Sequence, residues 1–149
     1  MKKIIEYTET HSNRINPFEG MHFPVESSST FLSDSICYNA SRLAKRVGAK
    51  AIILFTHSGY TAIKISSYRP NTSIYAFTNN EKLLFKLSLI WGVKAFHLNT
   101  YNHLSLAISK SNEILKKKNL LKEGDRVIYV GSTPLIEHGN TNMLKVGII

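Results

Sequence analysis

Short apolar runs that alternate with helical patterns constrain the fold of this chain most. "KAIILFT" (50–56) is apolar throughout its centre and rich in β-branched residues, which is typical of a parallel strand buried on both faces. Three further runs have this character: "SIYAFT" (73–78), the weaker "KAFHL" (94–98) and "EGDRVIYVGS" (123–132). Helical patterns cover Thr30–Val47, Gly59–Tyr68, residues 79–93, closed by Gly92, and Asn102–Lys118. This alternation predicts an α/β fold with a mainly parallel sheet covered by helices on both faces.

The last apolar run, "NMLKVGII" (142–149), follows a loop and no helix. A parallel neighbour would need a long crossover, whereas an antiparallel neighbour needs only a short connection. We therefore expect this run to be an antiparallel strand at one edge of the sheet.

The length of 149 residues fits one domain with a hydrophobic core of its own. The pattern of the first 12 residues predicts a helix, and "INPFEGMHFPVESSS" (15–29) is a connector broken by prolines and a glycine. We therefore divide the chain into an N-terminal helix and connector (1–29) and an α/β domain (30–149).

The cysteine count and the apolar runs indicate the cellular compartment of the protein. A single cysteine, Cys37, excludes an internal disulfide framework and suits a reducing environment. The longest apolar run is far too short to span a bilayer, and "MKKIIEYTETHSNR" has no secretory leader pattern. We therefore expect a cytoplasmic protein that does not bind membranes.

The net charge of +9 admits nucleic acid, an anionic membrane face or small anionic ligands as partners. The basic residues are mostly dispersed, and their only run, Lys116–Lys118, lies at the end of a helical pattern, where cations complement the helix dipole. No nucleic-acid-binding motif accompanies the charge, so we expect no nucleic-acid partner.

The segment "THSGYT" (56–61) is the candidate binding site. It stands where the first strand runs into a helix, and free N–H groups at a helix start favour an anion. Hydroxyls at Thr56, Ser58 and Thr61 would add donors, and Gly59 would let the backbone approach a ligand closely. Serine and threonine are also favoured helix caps, so a phosphate site and a simple cap both remain open from the local sequence.

The next helix start illustrates the capping alternative. Thr78 and Glu81 have the Thr-x-x-Glu spacing of a capping box, which satisfies the first helical N–H groups internally. We expect a structural role there.

Catalytic motifs are scarce. The six histidines form no metal-binding spacing, and Ser58 is not in a G-x-S-x-G turn. Cys37 falls in the middle of a helical pattern, which favours an inert thiol. The sequence also contains neither a Walker loop nor a G-x-G-x-x-G motif. We therefore expect no catalytic residue, metal or cofactor in this chain.

A longer succession of motifs resembles a known family. "GAKAIILFTHSGYTAIKISSYRPNTSIYAFTNNEKLLFKLSLIWGVKAF" (48–96) resembles the C-terminal domain of pyruvate kinase, with its T-x-S-G-x-[ST], Y-R-P, T-x-N-E and W-G-V motifs in order. "ILKKKNLLKEGDRVIYVGSTP" (114–134) and the closing "GNTNMLKV" (139–146) continue the resemblance. It implies a three-layer α/β/α sandwich with a five-stranded sheet, mostly parallel, whose last strand is antiparallel.

The resemblance also implies an effector site and a regulatory, assembly role. Motif by motif, the phosphate loop corresponds to Thr56–Thr61, and a second loop lies over the effector. The expected effector-binding residues are Thr56, His57, Ser58, Gly59, Tyr60, Thr61, Gly131, Ser132, Thr133, Pro134 and Gly139. Members that bind a sugar bisphosphate use a tryptophan and an arginine after the third strand, but "NTYNHLS" (99–105) contains neither. A monophosphate effector is therefore favoured over a bisphosphate, and the absence of any effector stays open.

Catalysis in this family belongs to a preceding barrel that holds Mg²⁺, K⁺ and phosphoenolpyruvate, and none of that barrel is in this sequence. The resemblance implies that this chain alone is inactive, that a parent enzyme would transfer phosphate from phosphoenolpyruvate to ADP, and that the domain forms homo-oligomers. Two alternatives remain: a free-standing sugar-phosphate or nucleotide-binding module, and a purely structural oligomerisation domain.

Overall fold

A computed structural model describes residues 3–4, 7–8, 24–99, 103–135 and 140–149. In chain order the elements are α1 (Phe31–Arg46), β1 (Ala51–Phe55), α2 (Tyr60–Ser67), β2 (Ser73–Thr78), α3 (Glu81–Leu87), β3 (Val93–His97), α4 (Leu104–Lys117), β4 (Arg126–Gly131) and β5 (Met143–Ile148).

The five strands form one sheet in the order β3-β2-β1-β4-β5. The first four strands are parallel to one another, whereas β5 runs antiparallel to β4 with Met143 opposite Gly131. The predicted α/β sheet with an antiparallel last strand is confirmed.

The two faces of the sheet bury different helices. Alternate side chains of a strand point to opposite faces, and all five residues of β1 are buried. Ile52 and Leu54 pack in one apolar cluster with α1, α2 and α3. Ile53 and Phe55 pack in a second cluster with α4. The predicted three-layer sandwich is therefore confirmed.

Helix α3 differs from its predicted length. The pattern extended it to Gly92, but it ends at Leu87, and the next residues form turns. The N–H groups of Leu89 and Ile90 donate to carbonyls three residues earlier, at 3.2 and 3.1 Å, so the chain tightens and leaves the helix axis. Gly92, with φ +71°, then leads into β3.

The predicted capping box is wrong in its register. Asn80, not Thr78, caps α3, and its Oδ1 accepts from the Leu83 N–H at 3.3 Å. Thr78 stays in β2 and its Oγ1 accepts from the Asn80 N–H at 3.1 Å. The segment has the predicted structural role, with a different residue as the cap.

At the N-terminus, residues 3–4 and 7–8 are helical, and Thr8 Oγ1 donates to the Ile4 carbonyl at 2.8 Å. The rest of the predicted helix and most of the connector lie outside the described residues, so the division at residue 29 stays a prediction. Across the described part of the chain, no helix is long and apolar enough to cross a membrane.

Candidate functional site

The candidate site lies at the carboxyl ends of β1 and β4, which are neighbours in the sheet. From β1 the chain proceeds to β2 on one side, and it returns through α4 to β4 on the other side. This reversal is a topological switch point, where the connecting loops diverge and leave a crevice at the sheet edge. The segments 56–59 and 131–134 both emerge at this edge.

The turn after β1 is held by its own hydroxyls. The Gly59 N–H donates to Thr56 Oγ1 at 2.9 Å, and the Tyr60 N–H donates to Ser58 Oγ at 3.3 Å. Gly59 has φ +87° and precedes the first residue of α2. A Cβ at Gly59 would lie 2.9 Å from Leu83 Cδ1, so the glycine serves both the turn and the packing of α3.

The predicted hydroxyls therefore fall into two groups. Thr56 and Thr61 are buried, whereas Ser58 and its neighbour His57 are exposed at the turn. Thr61 Oγ1 lies 2.8 Å from Thr141 Oγ1, which links α2 to the segment before β5. Ser58 is thus the hydroxyl that a ligand from solvent reaches most directly.

The segment after β4 is held by Asn142. The Thr133 N–H donates to Asn142 Oδ1 at 2.7 Å, and Asn142 Nδ2 donates to the Thr133 carbonyl at 3.0 Å. Ser132 is half-buried, while Thr133 and Pro134 are exposed. Predicted residue Gly139 lies outside the described residues, as do residues 100–102 of the segment after β3.

The structure thus brings three separate segments to one crevice: the turn after β1, the loop after β4 and the approach to β5. The bonds from Thr61 to Thr141 and from Thr133 to Asn142 connect them.

A buried carboxylate beside this turn was missed from the sequence. Asp34, in the first turn of α1, accepts from Tyr60 Oη at 2.5 Å, from Lys64 Nζ at 2.9 Å and from Thr30 Oγ1 at 3.2 Å. Burial raises the pKa of Asp34, but the bonds from Tyr60 and Lys64 outweigh it and the pKa is lowered overall. Its one sequence signal was an acid placed three residues before Cys37, on the face that α1 buries.

Cys37 itself is fully buried, and burial raises the pKa of its thiol to about 12. The predicted inert thiol agrees with this environment. Within the described ranges, no three His, Cys, Asp or Glu side chains come together in a way that could hold a metal ion.

Together, these features define a doubly wound α/β domain with a hydroxyl-rich strand-to-helix turn at its switch point. Residues 34–147 match the family model described as "Pyruvate kinase, alpha/beta domain". The chain belongs to this family, as the order of its motifs predicted.

Individual pyruvate kinases are also similar to this chain. The chain is 35% identical over 118 residues to the pyruvate kinase of Lactobacillus delbrueckii subsp. bulgaricus, covering 79% of this chain and 20% of that protein. It is 32% identical over 127 residues to the pyruvate kinase of Geobacillus stearothermophilus, covering 83% and 21%. A crystal structure of a Cryptosporidium parvum pyruvate kinase superposes with a TM-score of 0.70 at 33% identity, covering 78% of this chain and 22% of that one. The chain therefore spans about a fifth of the length of these relatives.

Proposed function

We propose that this chain is the regulatory and assembly domain of a cytoplasmic pyruvate kinase and binds a phosphorylated small molecule at the turn 56–61. The observation that carries the proposal is the meeting of three segments at the switch point, joined by the bond between Thr61 and Thr141. Ser58 is exposed there at the start of α2, where the helix dipole favours an anion. The charge of +9 favours an anionic ligand further.

The ligand we favour is a monophosphate, such as a hexose phosphate, ribose phosphate or AMP. A second phosphate would need cations of its own, and "NTYNHLS" after β3 supplies neither arginine nor lysine. We therefore expect fructose 1,6-bisphosphate to bind no more tightly than glucose 6-phosphate.

Thermal melting of the 149-residue chain tests the effector site. Glucose 6-phosphate, ribose 5-phosphate, AMP and fructose 1,6-bisphosphate are added separately at millimolar concentration. A ligand at 100 times its Kd stabilises the folded state by about 2.7 kcal/mol. If none of the four raises the melting temperature, the turn is a helix cap and the effector proposal is wrong.

Matched variants locate the ligand. Ser58→Ala removes the exposed hydroxyl and should weaken binding about tenfold, since a hydrogen bond to a charged group contributes about 1.5–3 kcal/mol. Ser58→Glu should abolish binding by charge repulsion. Ser67→Ala is the control, because Ser67 lies at the other end of α2, where its Oγ donates to the Lys64 carbonyl. Equal affinities for the Ser58→Ala and Ser67→Ala variants would place the ligand elsewhere.

The reaction of the parent enzyme, transfer of phosphate from phosphoenolpyruvate to ADP with Mg²⁺ and K⁺ in the barrel, belongs to the same proposal. We expect the isolated chain to be inactive, since the family resemblance places catalysis in a barrel that this sequence does not contain. A coupled assay for pyruvate formation checks this. Robust turnover by the purified chain would contradict it.

Assembly is proposed through β5. Among the described residues this strand pairs only with β4, and no described strand lies along its other edge. Val146 and Ile148 are 46% and 70% exposed, on the same face as Leu144. Beside that face, a groove of about 310 Å³ runs between β5 and α1, with Leu32 and Ile36 in its lining. A second copy of the chain would pair with the other edge of β5 and cover these side chains.

Light scattering at micromolar concentration tests assembly. We expect a mass at least twice the 16.8 kDa of one chain. Ile148→Lys should reduce it to one chain by placing a charge in the interface. Phe85→Lys is the matched control, because Phe85 is 77% exposed on α3, near the opposite edge of the sheet. A wild-type mass of one chain would refute the assembly proposal.

A further inference from the structure

The turn 56–61 is anchored on two sides by consecutive residues. Thr61 bonds to Thr141 on the β5 side, and Tyr60 bonds through its hydroxyl to Asp34 on α1. The second anchor spans 26 residues of sequence and ends on a carboxylate whose residue is only 7% exposed. Tyr60 therefore directs its hydroxyl to α1 and not to the crevice.

Asp34 is well placed to act as an anchor. Its Oδ2 accepts from Thr30, which precedes α1, and from Lys64, one turn further along α2. Thr30 Oγ1 is in turn 2.9 Å from Ser28 Oγ, so the carboxylate is held both by the segment before α1 and by α2. A buried acceptor with several donors keeps a single geometry, because any movement leaves a charged group unsatisfied.

We propose that Asp34 is a positioning residue that holds the turn 56–61 in its ligand-receiving conformation through the hydroxyl of Tyr60. Tyr60 is joined directly to Gly59, whose left-handed backbone shapes the turn. Fixing the Tyr60 side chain therefore fixes the point at which the turn enters α2. This inference deepens the proposed function, since it concerns the same loop.

Electrostatics makes the proposal testable by sign. Asp34 carries a negative charge close to a loop proposed to receive an anion. Asp34→Asn removes that negative charge and leaves the positive charge of Lys64 without its ion-pair partner. Coulomb attraction alone would therefore tighten the binding of an anion. A positioning role predicts weaker binding instead. If the substitution lowers the fraction of molecules whose turn is in the binding conformation, the apparent Kd rises in proportion.

The experiment measures binding of inorganic phosphate by calorimetry, well below the melting temperature of each variant. Tyr60→Phe removes the hydroxyl without changing the charge, and it should raise the Kd about tenfold. Asp34→Asn should also raise it. Tyr38→Phe is the matched control. The Tyr38 hydroxyl accepts from Arg42 Nη1 at 3.2 Å, on α1 and not at the segment 56–61. The Kd of this variant for phosphate should equal that of wild type.

A second readout needs no ligand. The amides of residues 59 and 60 donate to Thr56 and Ser58, and their hydrogen exchange, measured by NMR, should accelerate in the Tyr60→Phe variant but not in Tyr38→Phe. If wild type binds no phosphate but exchange accelerates in Tyr60→Phe, the bond to Asp34 does hold the turn and the proposed function is wrong. The positioning role is wrong if exchange is unchanged in Tyr60→Phe. It is also wrong if Asp34→Asn binds phosphate as tightly as wild type, or more tightly.

Discussion

Substitution of Gly59 by alanine should destabilise this domain more than a left-handed backbone alone explains. Gly59 has φ +87°, a conformation that costs a residue with a Cβ about 1–2 kcal/mol. The new Cβ would also lie 2.9 Å from Leu83 Cδ1 and 3.6 Å from Leu87 Cδ2. Both leucines belong to the core beneath α3, and overpacking a core typically costs about 1–3 kcal/mol. We expect Gly59→Ala to lower the free energy of unfolding by about 3 kcal/mol, combining these two effects.

Gly124 provides a closely matched control. Its φ is +86°, and a Cβ there would meet no atom within 4 Å. Gly124→Ala should therefore cost only the backbone term of about 1–2 kcal/mol. In a domain of this size each kcal/mol lowers the melting temperature by about 2–4 °C, so calorimetry separates the two variants.

A double-mutant cycle identifies the source of the difference. In a Leu83→Ala background the crowding disappears, and Gly59→Ala should then cost about as much as Gly124→Ala. Urea denaturation gives the four free energies. Equal costs for Gly59→Ala and Gly124→Ala in the otherwise wild-type chain would refute the packing argument.

Three further predictions follow from the buried polar groups. Burial raises the pKa of Asp34, but hydrogen bonds, first that from Tyr60, lower this pKa overall. The ionised carboxylate therefore stabilises the folded state at neutral pH, and this stabilisation is lost in acid. In urea denaturation, Asp34→Asn should unfold with a lower free energy than wild type at pH 7, and the difference should shrink below about pH 4. Cys37, with its pKa raised to about 12, should resist a disulfide reagent at pH 8 in the folded protein and react once urea unfolds it; rapid native reaction would contradict its burial. Thr61→Val and Thr141→Val should each cost about 1–3 kcal/mol by leaving a buried hydroxyl unpaired, and the double variant should cost less than their sum; simple additivity in urea denaturation would argue against the bond.

The sequence by itself determined the layers of this protein and the direction of its strands. A run such as Ala51–Phe55, with no polar residue, has to be buried on both faces, and the helical patterns between such runs supply the cover. The crossover lengths then make the strands parallel, and the short connection before β5 makes the last one antiparallel. Each of these inferences uses only local periodicity and spacing.

Local pattern was insufficient where two arrangements satisfied it equally. Thr78 and Asn80 are both good caps for α3, and the Thr-x-x-Glu spacing favoured Thr78. Sheet pairing decided for Asn80: Thr78 lies opposite His97 of β3, and its carbonyl accepts from the Leu98 N–H at 2.9 Å. A residue held in a strand by these bonds cannot also begin the helix.

Only the tertiary structure decided which side chains meet at the candidate site. Ser58 and Gly59 were found from sequence because the turn that holds them is local. The bond from Thr61 to Thr141 spans 80 residues, and that from Tyr60 to Asp34 spans 26. No periodicity encodes such pairs, because they depend on how the sheet order places α1 and β5 on either side of one turn. The bond between Tyr60 and the Asp34 carboxylate was therefore not predicted from the sequence.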